Sequence, residues 1–262
     1  MTAPAPVPGA GTFRPDPGAA PLPRMVAAQT ALELRLLLRN GEQLLLVLVI
    51  PVVLLVLLAS VPVLDTGAGD PVDFFAPGIL ALAVMSTAFT GQAIATGYDR
   101  RYGALKWLGS TPLPRAGLLL AKTGAIVAVE LLQVLVLGAA ALALGWSPHG
   151  AVTAVVALLV VGTAAFSALG LLMAGTLRAE ATLAAANLVY LLLLLGGGVV
   201  VPLDRFPAPV ASVLAYTPTA ALSDGLRDVL RHGASLPLTP LGVLAGWALA
   251  GALLTARTFH WE

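Results

Sequence analysis

Residues 116–144 read AGLLLAKTGAIVAVELLQVLVLGAAALAL, an apolar run that only two charged side chains interrupt. A helix of about 20 residues crosses a hydrocarbon core of about 30 Å, so this run is long enough to span a membrane. Five further apolar stretches follow or precede it. The predicted spans are residues 43–61, 76–97, 116–144, 151–174, 183–201 and 238–257. The sequence therefore predicts an all-α, polytopic membrane protein with six transmembrane helices.

The composition supports this fold class and excludes several functions. Hydrophobic residues make up 58% of the chain and charged residues only 10%, whereas soluble proteins carry about 25% charged residues. The net charge of +1 and the lack of a basic run outside the connections argue against a nucleic-acid partner. The chain has no cysteine and no HExxH or GxSxG motif, so we predict no catalytic residue, no metal site and no enzymatic activity.

The positive charges predict how the chain lies in the membrane. Eleven of the 14 Lys and Arg residues fall on the N-terminal segment, on alternate connections and at the C-terminal end. The positive-inside rule assigns that side to the cytoplasm. We therefore expect a multi-pass protein of the cell (plasma) membrane with both termini cytoplasmic. Residues 1–24 are predicted to form a disordered, Pro-rich cytoplasmic tail, and residues 25–262 the transmembrane domain.

Two segments outside the spans have helical patterns of their own. Residues 25–39 place Ala27, Ala31, Leu34 and Leu38 on one apolar face, which is typical of a helix lying in the membrane interface. Prolines divide residues 203–236 into pieces, with a helix start predicted at Thr217 and Pro218 and an apolar stripe along that helix at Leu222, Leu226, Val229 and Leu230. This pattern predicts a broken, re-entrant helical hairpin before the last span, with Asp224 and Arg227 paired on its polar side.

The connection after the second predicted span mixes charged, aromatic and aliphatic side chains. A simple positive-inside connection does not need exposed aromatic residues, whereas an amphipathic helix that inserts into a groove of a soluble partner does. A basic segment that binds lipid headgroups through interfacial aromatic residues is the equal alternative. The candidate docking residues are Arg100, Arg101, Tyr102, Leu105, Lys106, Trp107 and Leu108.

Polar side chains inside the predicted spans are the other candidates, namely Glu130, Gln133 and Asn187. Glu130 lies eight residues beyond Lys122, which places it about 12 Å deeper along a helix. An ionisable group at that depth faces a bundle interior or a wet cavity. It could bind a proton, contact a cationic substrate, or simply join helices through a hydrogen bond, and the sequence leaves these possibilities open.

Four sequence motifs resemble one known family. They are FFAPGIL at residues 74–80, DRRYG at 99–103, STPLP at 110–114 and VPLDRFP at 201–207. Together with the order of segments, they resemble the permease subunit of a type-2 ATP-binding-cassette (ABC) exporter. The similarity covers nearly all of the chain after residue 24.

The resemblance implies a role for each segment. Residues 25–39 would be the elbow helix, and residues 100–108 the coupling helix that binds the ATPase subunit. The extracellular gate would include Asp204, Arg205, Phe206, Asp224 and Arg227. The implied partners are ABC ATPase subunits, which carry ATP and Mg, and a second permease copy in a homodimer or heterodimer. The chain itself would hold no cofactor.

The leading functional hypothesis is efflux of a hydrophobic or amphipathic compound, such as a drug, an antibiotic or a lipid, of the kind that gives multidrug resistance. One alternative is an ion-coupled secondary transporter that works without an ATPase and uses Glu130 as its proton site. A second alternative is a permease for polysaccharide or glycolipid export. The aromatic content of only 6% weighs mildly against sugar binding.

Overall fold

The computed structural model describes residues 18–61 and 69–258, which form helices and connections without a β-strand. Most of the predicted tail, up to residue 17, lies outside these described ranges. The helices are α1 (Leu22–Arg39), α2 (Leu45–Ser60, entered through the single turn Gly41–Leu44), α3 (Pro71–Arg101), α4 (Ala104–Gly109), α5 (Arg115–Ala143), α6 (Val152–Thr176), α7 (Ala179–Gly196), α8 (Ala208–Leu214), α9 (Pro218–Leu230) and α10 (Leu238–Thr258).

Five of these helices are long and apolar enough to cross a membrane, namely α3, α5, α6, α7 and α10. The prediction of six spans is therefore confirmed only in part, because the predicted first span corresponds to the shorter apolar helix α2. Its apolar length is limited at the start by Gly41, Glu42 and Gln43. At 1.5 Å per residue, α2 is about 24 Å long, which is less than the core thickness of about 30 Å.

The helix α3 lies at the centre of the bundle and is the most deeply buried of the five long apolar helices. Pro71 stands at its start, where a missing backbone N–H is no loss, but Pro77 lies inside the helix. A π-helical segment, Met85–Gly91, interrupts the α-helix midway. The span is longer than predicted at both ends, since residues 71–75 and 98–101 continue the same helix.

The helix α7 begins and ends earlier than predicted. It ends at Gly196 instead of residue 201, because Gly197 and Gly198 follow and Gly198 adopts a left-handed φ of 68°. Gly197 also lies so close to Thr219 that a β-carbon there would overlap the threonine side chain. The run of glycines thus ends the helix and lets α9 approach its end.

The helices α8 and α9 are joined by the turn at residues 215–217. The predicted helix start is confirmed, since the Thr217 hydroxyl oxygen accepts a hydrogen bond from the Ala220 N–H at 3.3 Å. The predicted apolar stripe is also confirmed, because its residues are buried in the core. The indole Nε1–H of Trp247, about midway along α10, donates to the carbonyl oxygen of Tyr216 at 2.8 Å and so holds the turn against α10. The stripe consists of Leu222, Leu226, Val229 and Leu230.

The helix α1 packs along the first turns of α5, where Gly117 and Gly124 make room for Leu22 and Thr30. The side of α1 that contains Glu33 faces α5. Most of the apolar face predicted from the sequence is exposed to the surroundings of the chain instead. The exposed members are Ala27, Ala31 and Leu38, whereas Leu34 is half-buried.

Candidate functional site

One end of the bundle carries Arg101, Arg178 and Arg257 and is called the basic end below; the other is called the hairpin end, because α8 and α9 lie there. At the basic end, Gly103 turns the chain from α3 into α4 with a left-handed φ of 74°. The short helix α4 then projects Trp107, which is 80% exposed, beside Tyr102, which is 74% exposed. Large aromatic side chains this exposed are typical of a binding surface.

The two arginines that precede α4 also bond other segments, although Arg101 stays exposed with its guanidinium 5.9 Å from the centre of the Tyr102 ring. The guanidinium group of Arg100 donates to the carbonyl oxygens of Gly175 and Leu177, at the end of α6. Arg101 forms an ion pair with Glu180, in the first turn of α7. The docking role of both arginines stays a prediction, and the structure adds their contacts with the connection between α6 and α7.

A buried lysine joins three segments near this end. Lys122 of α5 is only 6% exposed, and its ammonium group lies 2.6 Å from Oδ2 of Asp99 in α3 and 3.3 Å from the Glu33 carboxylate in α1. The Glu33 carboxylate also accepts a hydrogen bond from Gln29 at 2.9 Å. Sequence analysis used Lys122 only to predict topology, because its partners lie 89 and 23 residues away along the chain.

A groove of about 340 Å³ lies beside α4, between α1 and the connection to α5. The side of α1 contributes Leu32, which is 47% exposed, and the other side contributes Leu108 from α4. The predicted docking residues therefore divide into three groups: exposed Arg101, Tyr102, Lys106 and Trp107, groove-lining Leu108, and half-buried Arg100, which bonds the end of α6. The backbone of Leu105 lies in α4. The groove is lined by Met25, Ala28, Gln29, Leu32, Leu108, Thr111, Pro112 and Leu113.

The side chain of Gln133 donates a hydrogen bond to a backbone carbonyl of α2 that would normally accept from an N–H of the same helix. Pro51 has no N–H, so the carbonyl of Val47, four residues earlier, lacks its helical donor. The side-chain Nε2 of Gln133 donates to that carbonyl oxygen at 3.0 Å, and its Oε1 accepts from the Thr87 hydroxyl at 3.1 Å. Gln133 thus joins α2, α3 and α5 in a region where an unpaired carbonyl would be costly.

Glu130 faces a different neighbour. One carboxylate oxygen, Oε2, lies 2.5 Å from the hydroxyl of Thr163 in α6, and the same hydroxyl lies 2.8 Å from the Leu159 carbonyl oxygen. The second oxygen, Oε1, is buried without a hydrogen-bond partner within residues 18–61 and 69–258. Glu130 and Gln133 therefore do not share a partner in this structure, although they are one turn apart.

At the hairpin end, Arg227 is buried instead of lying on the polar side of α9 as predicted; its exposed fraction is 6%. Its guanidinium donates to Asp224 Oδ1 at 2.9 Å, to the Val199 carbonyl at 3.1 Å and to the Phe74 carbonyl at 3.2 Å. It also stacks 3.9 Å from the centre of the Phe74 ring. Burial lowers the pKa of Arg227 to about 10, an effect that Asp224 partly offsets, so the group stays charged at neutral pH.

The other predicted residues do not join this cluster. Asp204 and Arg205 lie in an exposed 3₁₀ turn, Leu203–Arg205, and Phe206 follows it half-buried. Asn187 is exposed on α7, and its Nδ2 donates to the Leu183 carbonyl one turn earlier at 2.9 Å. Of the predicted gate residues, the structure therefore brings only Asp224 and Arg227 together.

These features define a class: a helical membrane protein with a short helix that exposes aromatic side chains at one end and an internally bonded helix pair at the other. The described residues include no cluster of His, Cys, Asp and Glu able to hold a metal ion. A family model described as ABC-2 family transporter protein matches residues 70–257. The chain belongs to this family and is a permease of the ABC-2 type. A comparison with curated proteins finds no match.

Proposed function

We propose that this chain is the membrane subunit of an ATP-driven exporter that moves a hydrophobic or amphipathic compound out of the cell. A separate ATPase, which binds ATP and Mg, supplies the energy. Membership in the ABC-2 family implies partnership with ABC ATPase subunits and with the membrane. Efflux as the direction, and a drug, an antibiotic or a lipid as the compound, are the finer parts of this proposal.

The observation that carries the proposal is the exposure of α4 at the basic end. Tyr102 and Trp107 form an aromatic surface, and the groove beside them offers about 340 Å³ for a side chain or helix edge of a partner. Hot spots of protein interfaces are enriched in Tyr and Trp. An ATPase subunit that presents a complementary helix or cleft fits this surface, with exposed Lys106 at its edge.

The base of α4 is positioned to transmit movement from such a partner. Arg100 and Arg101 bond the α6–α7 connection, and the ion pairs of Lys122 join α3, α5 and α1. A displacement of α4 would therefore act on the four spans α3, α5, α6 and α7 and on the elbow helix α1. In this scheme ATP binding by the partner favours one of two arrangements of the bundle.

The remaining features complete the assembly that we propose. The basic end faces the cytoplasm, α2 crosses the membrane as the sixth span, and both termini are cytoplasmic. The helices α8 and α9 form a re-entrant hairpin that gates the outer side. The leucines exposed on α7 around Asn187 pack against a second permease copy, either identical or related, with Asn187 bonding across the interface.

A second candidate rests on the unpartnered Oε1 of Glu130. An acid buried between α5 and α6 could bind and release a proton in an ion-coupled transporter that needs no ATPase. The hydrogen bond of its other oxygen to Thr163 supports the plainer role of joining α5 and α6.

Purification from native membranes tests the proposal directly. The tagged chain in mild detergent is expected to bring down a nucleotide-binding subunit with vanadate-sensitive ATPase activity. The double variant Tyr102→Ala, Trp107→Ala is expected to lose this subunit, with binding weakened about thirtyfold or more if both residues are hot spots. Tyr216→Ala, which removes an aromatic side chain that is 66% exposed at the other end of the fold, is the matched control and is expected to retain the subunit. Retention by the double variant would refute docking through α4.

A further inference from the structure

A second cavity lies inside the bundle, on the side away from α1. It is a groove of about 430 Å³ with α7 on one side and α10 on the other, and α6 contributes the largest share of its lining. The groove runs from the basic end to the middle of the spans, because Leu177 lies just beyond the basic end of α6 and Trp247 lies about midway along α10. The lining residues are Phe89, Leu169, Leu172, Met173, Thr176, Leu177, Val189, Leu193, Thr217, Pro218 and Trp247.

The lining offers its occupant no free polar group. The Thr176 hydroxyl donates to the Leu172 carbonyl at 2.8 Å, the Thr217 hydroxyl donates to the Leu214 carbonyl at 2.7 Å, and the Trp247 indole is bonded to Tyr216. The occupant at this depth is therefore a hydrocarbon. An apolar space of this size leaves its walls without packing partners unless a molecule fills it.

An exposed positive charge follows the lining residue at the basic end of the groove. Arg178 directly follows Leu177, is exposed, and has no charged partner within the described parts of the chain. An arginine at the level of the headgroups binds phosphate, with two parallel N–H donors. An apolar groove with an unpaired arginine next to its lining fits an amphiphile that has a hydrocarbon chain and an anionic headgroup.

We propose that this groove binds one acyl chain of an anionic phospholipid, whose phosphate lies at Arg178. The lipid comes from the leaflet at the basic end, and its chain runs along α6 from Leu177 past Met173 to Trp247. Bound in this way, the lipid fills the space between α7 and α10 and contacts the turn between α8 and α9 through Pro218. The site differs in position and chemistry from the ATPase docking surface.

Photolabelling in reconstituted vesicles tests the site. The full chain is placed in phosphatidylcholine vesicles that contain a minor fraction of phosphatidylglycerol with a diazirine in its acyl chain, and labelled peptides are mapped after illumination. Labels are expected on α6 and α7 around residues 169–177 and 189–193. Met173→Trp fills the groove and is expected to lower this labelling at least about fivefold. Val160→Trp, at an exposed position of the same helix outside the groove, is expected to leave it unchanged.

The charge of Arg178 is tested separately. Arg178→Gln, an exposed change that leaves the core intact, is expected to lower the preference for phosphatidylglycerol over labelled phosphatidylcholine about fivefold. Arg257→Gln, at the basic end of α10, is the matched control and is expected to keep the preference. Equal labelling of wild type and Met173→Trp would overturn the acyl-chain site, and an unchanged preference in Arg178→Gln would overturn the anionic headgroup.

A second copy of the chain is the competing occupant. The protein contains no cysteine, so Met173→Cys introduces a single thiol in the groove. We expect this thiol to react with a lipophilic maleimide and to form no disulfide-linked dimer under mild oxidation. Efficient dimer formation would place a partner helix in the groove and overturn the lipid assignment.

Discussion

The helices α4 and α9 are both short and both lie outside the spans, yet their surroundings are opposite. The apolar stripe of α9 is fully buried, and its cation, Arg227, is bonded within the chain. In contrast, α4 leaves Trp107 80% exposed, and the arginines that precede it bond the connection between α6 and α7. The comparison shows that the apolar stripe of α9 is covered within the chain, whereas α4 keeps a large aromatic side chain exposed, which fits the partner that we propose for it.

The largest effect on stability is expected at Arg227. Arg227→Met removes the donor to the Phe74 and Val199 carbonyls and leaves Asp224 without its buried cationic partner. Loss of a buried, charge-assisted hydrogen-bond group of this kind lowers the free energy of unfolding by about 3 kcal/mol. Thermal unfolding in detergent measures the change, with Arg205→Met, an exposed position, as the control. Equal stability of the two variants would remove the contrast between α9 and α4.

A smaller effect is expected at Gln133, whose amide replaces a missing backbone donor. Gln133→Leu leaves the Val47 carbonyl unpaired and is expected to lower the free energy of unfolding by about 1–2 kcal/mol. Pro51→Ala restores the backbone N–H that the carbonyl lacks. In a double-mutant cycle, Gln133→Leu should therefore lower the free energy of unfolding by about 1 kcal/mol less in the Pro51→Ala background than in the wild type. Additive effects would show that Gln133 does not compensate for the proline.

A still smaller effect is expected at Glu130. Glu130→Gln keeps a side-chain oxygen that can accept from Thr163, so the free energy of unfolding should change by less than about 1 kcal/mol. ATP-driven transport is expected to continue in this variant. Transport that needs no ATPase and disappears with Glu130→Gln would instead support the proton-coupled alternative.

The smallest effect on stability is expected at Trp107, where the partner-binding effect is largest. Trp107→Ala removes a side chain that is mostly exposed, so the free energy of unfolding should change by less than about 0.5 kcal/mol. Coupled ATPase activity in the assembled transporter should fall about tenfold or more if the residue is a hot spot. If Trp107→Ala lowers the free energy of unfolding strongly but still binds the ATPase subunit, Trp107 has a structural role and the contrast between α4 and α9 is wrong.

Hydropathy predicted most of the fold because membrane spans depend on local composition. Five of the predicted spans correspond to helices long enough to cross a membrane, and the stripe and the start of α9 were predicted correctly. The end of the fifth span was wrong because the hydrophobic average extends through Gly197 and Gly198, where the backbone turns. Segment length is thus predictable, but a helix end set by glycine conformation is less so.

The candidate sites were less predictable because their contacts connect distant parts of the chain. Asp224 and Arg227 were predicted as a pair from their spacing, but the burial of Arg227 depends on Phe74, which lies 153 residues earlier. The bonds of Arg100 to the end of α6 and of Arg101 to α7 were not predicted, because charge and position along the chain do not reveal these distant partners. The pair formed by Pro51 and Gln133 could have been suspected, since a proline inside a span always frees a carbonyl.

The burial of Arg227 also has a consequence for biosynthesis. Both backbone acceptors of its guanidinium, at Phe74 and Val199, are translated before Arg227 itself. At about 5–20 residues per second, the 153 residues between Phe74 and Arg227 take roughly 8–30 s to synthesise. The charged residue therefore leaves the ribosome after both of its backbone acceptors. We expect truncations that remove α3 to weaken the packing of α9, because they remove the Phe74 carbonyl that Arg227 binds.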